Sequence, residues 1–241
     1  MLDKQRLIPG LEAKRRQLIL GLFIALTVFT VAEIFRGREL WIKLNGSGGI
    51  WDYTLSLMYY TSGMLALLNA MLLQYHDKKL YLKNHSASSA PWVLVGIAFI
   101  FFAYDKDLQL HVKLGERMEI IAPWLKHIYF VNADSLFAVV YIVGAIFVAG
   151  TVLRGSITSR AAKSYFVAGL VMAAGFAFCE YLGEYLYKFL NNVEQLLEAY
   201  AGWAFIASFV SVVTSTLTTM LPVVDSASEM LVSEETPTLA N

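Results

Sequence analysis

Tyr53 to Tyr75 reads YTLSLMYYTSGMLALLNAMLLQY, a run without one charged side chain. Coiled as a helix at about 1.5 Å per residue, it extends over roughly 35 Å, enough to cross the hydrocarbon of a bilayer. Buried strands of soluble proteins run to roughly four to eight residues, so this stretch is not one of them. Ala199 to Val224 is equally free of charge, and so is PWVLVGIAFIFFAY, Pro91 to Tyr104. The whole chain agrees: it is 57% hydrophobic and 16% charged, where an ordinary globular chain is about 25% charged. Its mean hydropathy is +0.56.

Six segments are apolar and long enough to span, some only with their polar ends included: 16–35, 51–75, 89–110, 126–153, 164–190 and 195–224. In lipid each backbone amide must find its partner within the segment, which selects helices. The roughly ten-residue alternating segments of a membrane barrel are not seen. The expected fold is therefore all-α, a polytopic membrane protein built as a bundle of about six transmembrane helices. Residues 1–224 form one domain, and 225–241 are read as a polar, disordered tail. Between spans lie turn-forming loops such as GRELWIKLNGSGG, KNHSASSAP and RGSITSR. The first apolar run exceeds the core of a signal peptide and lacks a small-x-small cleavage site, so it reads as an uncleaved span.

Nineteen basic residues balance nineteen acidic ones. That balance gives no pull toward nucleic acid; the expected partners are the lipid bilayer and other membrane subunits. The single cysteine, Cys179, has no internal disulfide partner. Six spans put both termini on one side, along with the loops near 80 and 158. That side holds the dense basic clusters, among them Lys14, Arg15, Arg16, Lys78, Lys79, Arg154, Arg160 and Lys163. The positive-inside rule makes it cytoplasmic, and the protein an integral component of a cell or inner membrane.

The opposite side collects carboxylates, several inside spans. A charge at that depth costs at least about 2.5–3.5 kcal/mol on insertion scales, so it needs a partner. Asp107 and His111 are four apart, as are Glu180 and Glu184, and Glu194 and Glu198; His127 and Asp134 are seven apart. On a helix such separations share one face. Carboxylate oxygen with neutral imidazole makes a mixed donor set that suits zinc, iron, manganese or copper. The candidate metal ligands are Asp107, His111, His127, Glu180, Glu184 and Glu198. Asp105, Asp134, Glu194 and Glu33 are alternative ligands or groups that orient them. Plainer readings stand beside this one. Asp105 and Asp107 could be solvated loop residues, Glu184 could pair with Lys188, Glu194 could favour a helix start, and Arg36 or Arg38 could neutralise a carboxylate. Three functions remain open: a metal site, an assembly subunit whose polar cluster is structural, and a proton- or cation-coupled transporter. Walker, GxGxxG and HExxH patterns are absent from the sequence.

The segment VGIAFIFFAYDKDLQLH followed by PWLKHIYF resembles the C subunit of the copper membrane monooxygenases, the particulate methane and ammonia monooxygenase family. In that family an Asp-x3-His pair after an aromatic span and a second His at the head of the next span bind copper. The matching positions are Asp107, His111 and His127. The resemblance implies an oxygen-activating copper subunit working within a multi-subunit complex. WDYTLSLMYY, EYLGE, VEQLLE and AGW have loose counterparts there as well. Two features differ: the gap from His111 to His127 is longer, and Glu180 and Glu184 flank Leu182-Gly183 where the family has Asn and His around Trp-Gly. Asp105-x5-His111 also resembles uncharacterised multispan membrane proteins with an LDExxxIHE-like motif, with Val112 in place of its last glutamate.

Overall fold

The computed structural model describes residues 4–35, 50–80, 89–124, 144, 147, 157, 159–183 and 188–234. Among them the secondary structure is helical, without strands: α1 (Lys4–Phe35), α2 (Ile50–Leu80), α3 (Ala90–Leu108), α4 (Leu110–Ile121), α5 (Arg160–Gly183) and α6 (Lys188–Glu234). Four stretches are long and apolar enough to cross a membrane: Ile8–Ala32 in α1, Trp51–Tyr75 in α2, Arg160–Cys179 in α5 and Val193–Met220 in α6. They correspond to the first, second, fifth and sixth expected spans. The third corresponds to α3, whose nineteen residues end in Asp105, Lys106 and Asp107; an apolar window of bilayer length cannot be cut from it without taking in those charges. The fourth expected span lies outside the described residues except for Gly144 and Phe147, both helical and exposed.

The outward faces are greasy. Leu57, Met71, Val171 and Val28 are each more than 60% exposed, an arrangement that water penalises and acyl chains accept. α6 is the hub. It packs on α5, α2 and α1, and 72% of its most apolar stretch is buried, against 17% in α1. α6 therefore sits at the centre and α1 at the periphery.

Aromatic edges fill the core. Phe99 of α3 meets Phe205 and Phe209 of α6 at centroid distances of 5.0 and 5.5 Å, with rings inclined at 69° and 89°. Trp92 meets Phe209 at 5.6 Å, and Phe166 of α5 meets Phe205 at 5.7 Å. Edge-to-face contacts of this kind add about 0.5–1.5 kcal/mol each beyond the area they bury. The α2–α3 contact depends on two glycines. A Cβ built on Gly63 would stand 2.9 Å from the carbonyl oxygen of Gly96. No larger residue lets these backbones approach so closely, which is how helices associate in lipid.

Two expectations about the backbone change. The helix does not run through Asp107 and His111: Gln109 turns left-handed at φ 49° and separates α3 from α4. A spacing of four across that break no longer implies a shared face. At the other end, α6 stays helical to Glu234, where a disordered tail was expected from Asp225. Its Ala, Glu, Met and Leu residues favour helix.

Candidate functional site: an ion-pair clasp at one end of the bundle

The first residues of α2, the last turn of α3 and the early turns of α6 meet at one end of the bundle. On α2, WDYTLSLMYY places Asp52, Ser56 and Tyr59 at i, i+4 and i+7, one stripe of the helix. α3 supplies Lys106 and Asp107. α6 supplies Glu194 and Glu198.

Lys106 is the centre. Its ammonium donates to Glu198 Oε2 at 2.9 Å and lies 3.9 Å from Asp52 Oδ1. Glu194 adds its attraction. Glu198 is 4% exposed, and its second oxygen, Oε1, accepts the Tyr59 hydroxyl at 3.1 Å. The phenol is itself held by the rings of Phe99 and Phe102, at 6.2 and 6.4 Å. Both oxygens of a buried carboxylate are thus engaged, one by a cation from α3 and one by a hydroxyl from α2. Charge-assisted bonds are roughly twice as strong as neutral ones, and more so where water is scarce.

Ser56 makes the second link. Its hydroxyl lies 2.7 Å from Asp107 Oδ1 and 3.3 Å from the carbonyl oxygen of Ala103. It ties the last turn of α3 to α2 just before the break at Gln109. Oδ2 of Asp107 has no partner among the described residues.

The expected site residues divide as follows. Glu198 joins Lys106 and Tyr59 and is not a free donor. Glu194 is half-buried and acts on Lys106. Asp107 is exposed and held by Ser56. Asp105 is 6% exposed, so it is a buried group and not a solvated loop residue. His111 and Glu180 lie in α4 and α5, and Glu33 in α1, each with its backbone described and its side chain outside the description. His127, Asp134 and Glu184 lie outside the described residues. Among the described residues, no group of three or more His, Cys, Asp or Glu side chains is close enough to hold a metal ion.

Lys106, Tyr59, Ser56 and Asp52 are the participants that reasoning from carboxylates and histidines missed. The signal was present in the Asp52, Ser56, Tyr59 stripe and in a lysine lodged between two aspartates at a span end. Compared with known proteins, the chain matches no family model, no curated protein and no solved structure.

Proposed function

We propose that this protein is a non-catalytic integral membrane subunit of six spans, with both termini cytoplasmic, whose polar cluster is a structural clasp. The cluster carries its own cation. Carboxylates from α2 and α6 face the Lys106 ammonium, which does for them what a bound metal would otherwise do. The observation that carries this reading is Glu198: with Lys106 at 2.9 Å on one oxygen and Tyr59 at 3.1 Å on the other, it closes three helices on one another. A subunit of this kind serves assembly, presenting a fixed end of the bundle to partner membrane proteins. The test is native mass spectrometry of the complex extracted in mild detergent. Lys106→Met is expected to lower the share of chain recovered in the larger assembly, with metal content unchanged. Stoichiometric metal in the wild type, lost in Glu198→Gln, would overturn the reading.

Asp107 favours a second reading. One oxygen is steadied by Ser56 and the other has no described partner, the posture of a carboxylate ligand fixed from behind by a hydroxyl. With His111 and His127, and with Glu180 and Glu184 from later in the chain, it would hold a metal. The resemblance favours copper; the carboxylates would also suit zinc, iron or manganese. Metal analysis of purified wild type against His111→Ala and His127→Ala separates the two readings: a metal lost in both variants supports the site, and equal content in all three removes it.

A further inference from the structure

A cleft of about 430 Å3 opens between α1, α5 and α6. Its two kinds of wall differ. Arg15 and Arg16 of α1 form one rim, and neither has an ion-pair partner among the described residues. The opposite rim is the start of α5 at Ala161, one residue into a helix of twenty-four. A helix start carries about half a positive charge, and the exposed Arg160 and Lys163 reinforce it. The floor is aromatic. Trp203 lies 5.0 Å from the ring of Phe23 and 5.7 Å from that of Tyr165. Its indole N–H already donates to the carbonyl oxygen of Ile19 at 3.2 Å, so the indole and the Phe23 ring offer hydrocarbon contact, with the Tyr165 hydroxyl the polar group beside them. On the α1 side, Leu18 and Leu20 are more than half exposed.

The depth is informative. Along α6, Trp203 lies five residues or roughly 7.5 Å from Glu198. Ser208, whose hydroxyl donates to the carbonyl oxygen of Ala162 at 2.9 Å, lies ten residues or roughly 15 Å away. The floor is thus nearer the clasp, and the rim faces away from it, beside the basic entries to α1 and α5. It therefore sits at a membrane interface, with its cations toward the headgroups and its rings toward the chains. A free anion would use the arginines and leave the apolar floor uncovered. A lipid without phosphate would use the floor and leave the two guanidiniums unmatched, and a zwitterionic phospholipid would bring its own choline cation against Arg15, Arg16 and the start of α5. Arginine's planar fork matches phosphate oxygens in pairs, and basic pockets between membrane helices suit anionic headgroups.

We infer that this cleft binds an anionic phospholipid, its headgroup phosphate held by Arg15 and Arg16 and one acyl chain laid over Phe23 and Trp203. The inference depends on the chain being a membrane protein and not on the role of the clasp. Native mass spectrometry of the purified protein, titrated with phosphatidylglycerol, phosphatidylcholine or inorganic phosphate, tests it. Wild type is expected to prefer phosphatidylglycerol to phosphatidylcholine by about ten-fold and to gain little from phosphate. Arg15→Gln with Arg16→Gln is expected to abolish that preference while leaving thermal stability in zwitterionic detergent unchanged, since Arg16 is exposed, Arg15 is only half-buried and neither has an ion-pair partner among the described residues. A preference retained in the double variant overturns the proposal. So does inorganic phosphate competing the lipid away at equal concentration, which would make the cleft an anion site.

Discussion

α3 is built on one principle in its middle and another at its end. Around Gly96 and Phe99 it has no polar side chain. There it is held by close backbone approach to Gly63 and by ring edges from α6. At Lys106 and Asp107 it is held by ions and hydroxyls. The middle fixes distance: small residues and interlocking rings set how near the helices lie, but packing of this kind tolerates sliding. The end fixes register, because Lys106 reaches Glu198 in only one alignment of α3 with α6, and Ser56 reaches Asp107 in only one alignment with α2. The bundle needs both, since lipid competes with side chains for apolar contact and does not compete for charge.

Substitutions that attack one principle and spare the other sharpen this contrast. The largest effect is expected from Lys106→Met. It leaves Glu198 and Asp52 facing each other without their shared cation, and removing one member of a buried pair costs about 3–5 kcal/mol. A thermal melt in detergent should show a large loss of stability, with the aromatic core still collapsed. Gly63→Val attacks the middle. Its side chain would meet the backbone of Gly96, and overpacking costs about 1–3 kcal/mol; cysteine pairs placed across α2 and α3 should crosslink less readily. Ser56→Ala should cost the least, about 0.5–1.5 kcal/mol, because it removes one hydrogen bond to an exposed carboxylate that water can partly replace. Its signature should be greater hydrogen exchange in the last turn of α3. If Ser56→Ala matched Lys106→Met in cost, the division between ion pair and hydroxyl would be misplaced.

Much of the fold was legible because lipid imposes a simple rule. Length without charge reads as a span, and α1, α2, α5 and α6 follow it. The break at Gln109 was not legible: glutamine is not a residue that ordinarily turns left-handed, so nothing local announced it. The end of the bundle carrying the cluster was legible in part, because carboxylates placed at similar depth on several spans must find a partner. The identity of that partner was not. Seeking histidines and a metal passed over Lys106, whose four-carbon stem lets it sit among apolar groups and still present a charge. The stripe of Asp52, Ser56 and Tyr59 was readable at helical spacing. A pairing between α3 and α6, ninety-two residues apart at Lys106 and Glu198, depends on tertiary structure and leaves no mark on local pattern.

The central claim is that Lys106 and Glu198 hold the clasp as one unit. A double-mutant cycle measures it directly, with Lys106→Met, Glu198→Met and the pair together unfolded in detergent. Each single substitution should destabilise strongly and the double substitution should cost only a little more than either one alone, giving a coupling of about 2–3 kcal/mol. Costs that simply add, with coupling below about 0.5 kcal/mol, would contradict it.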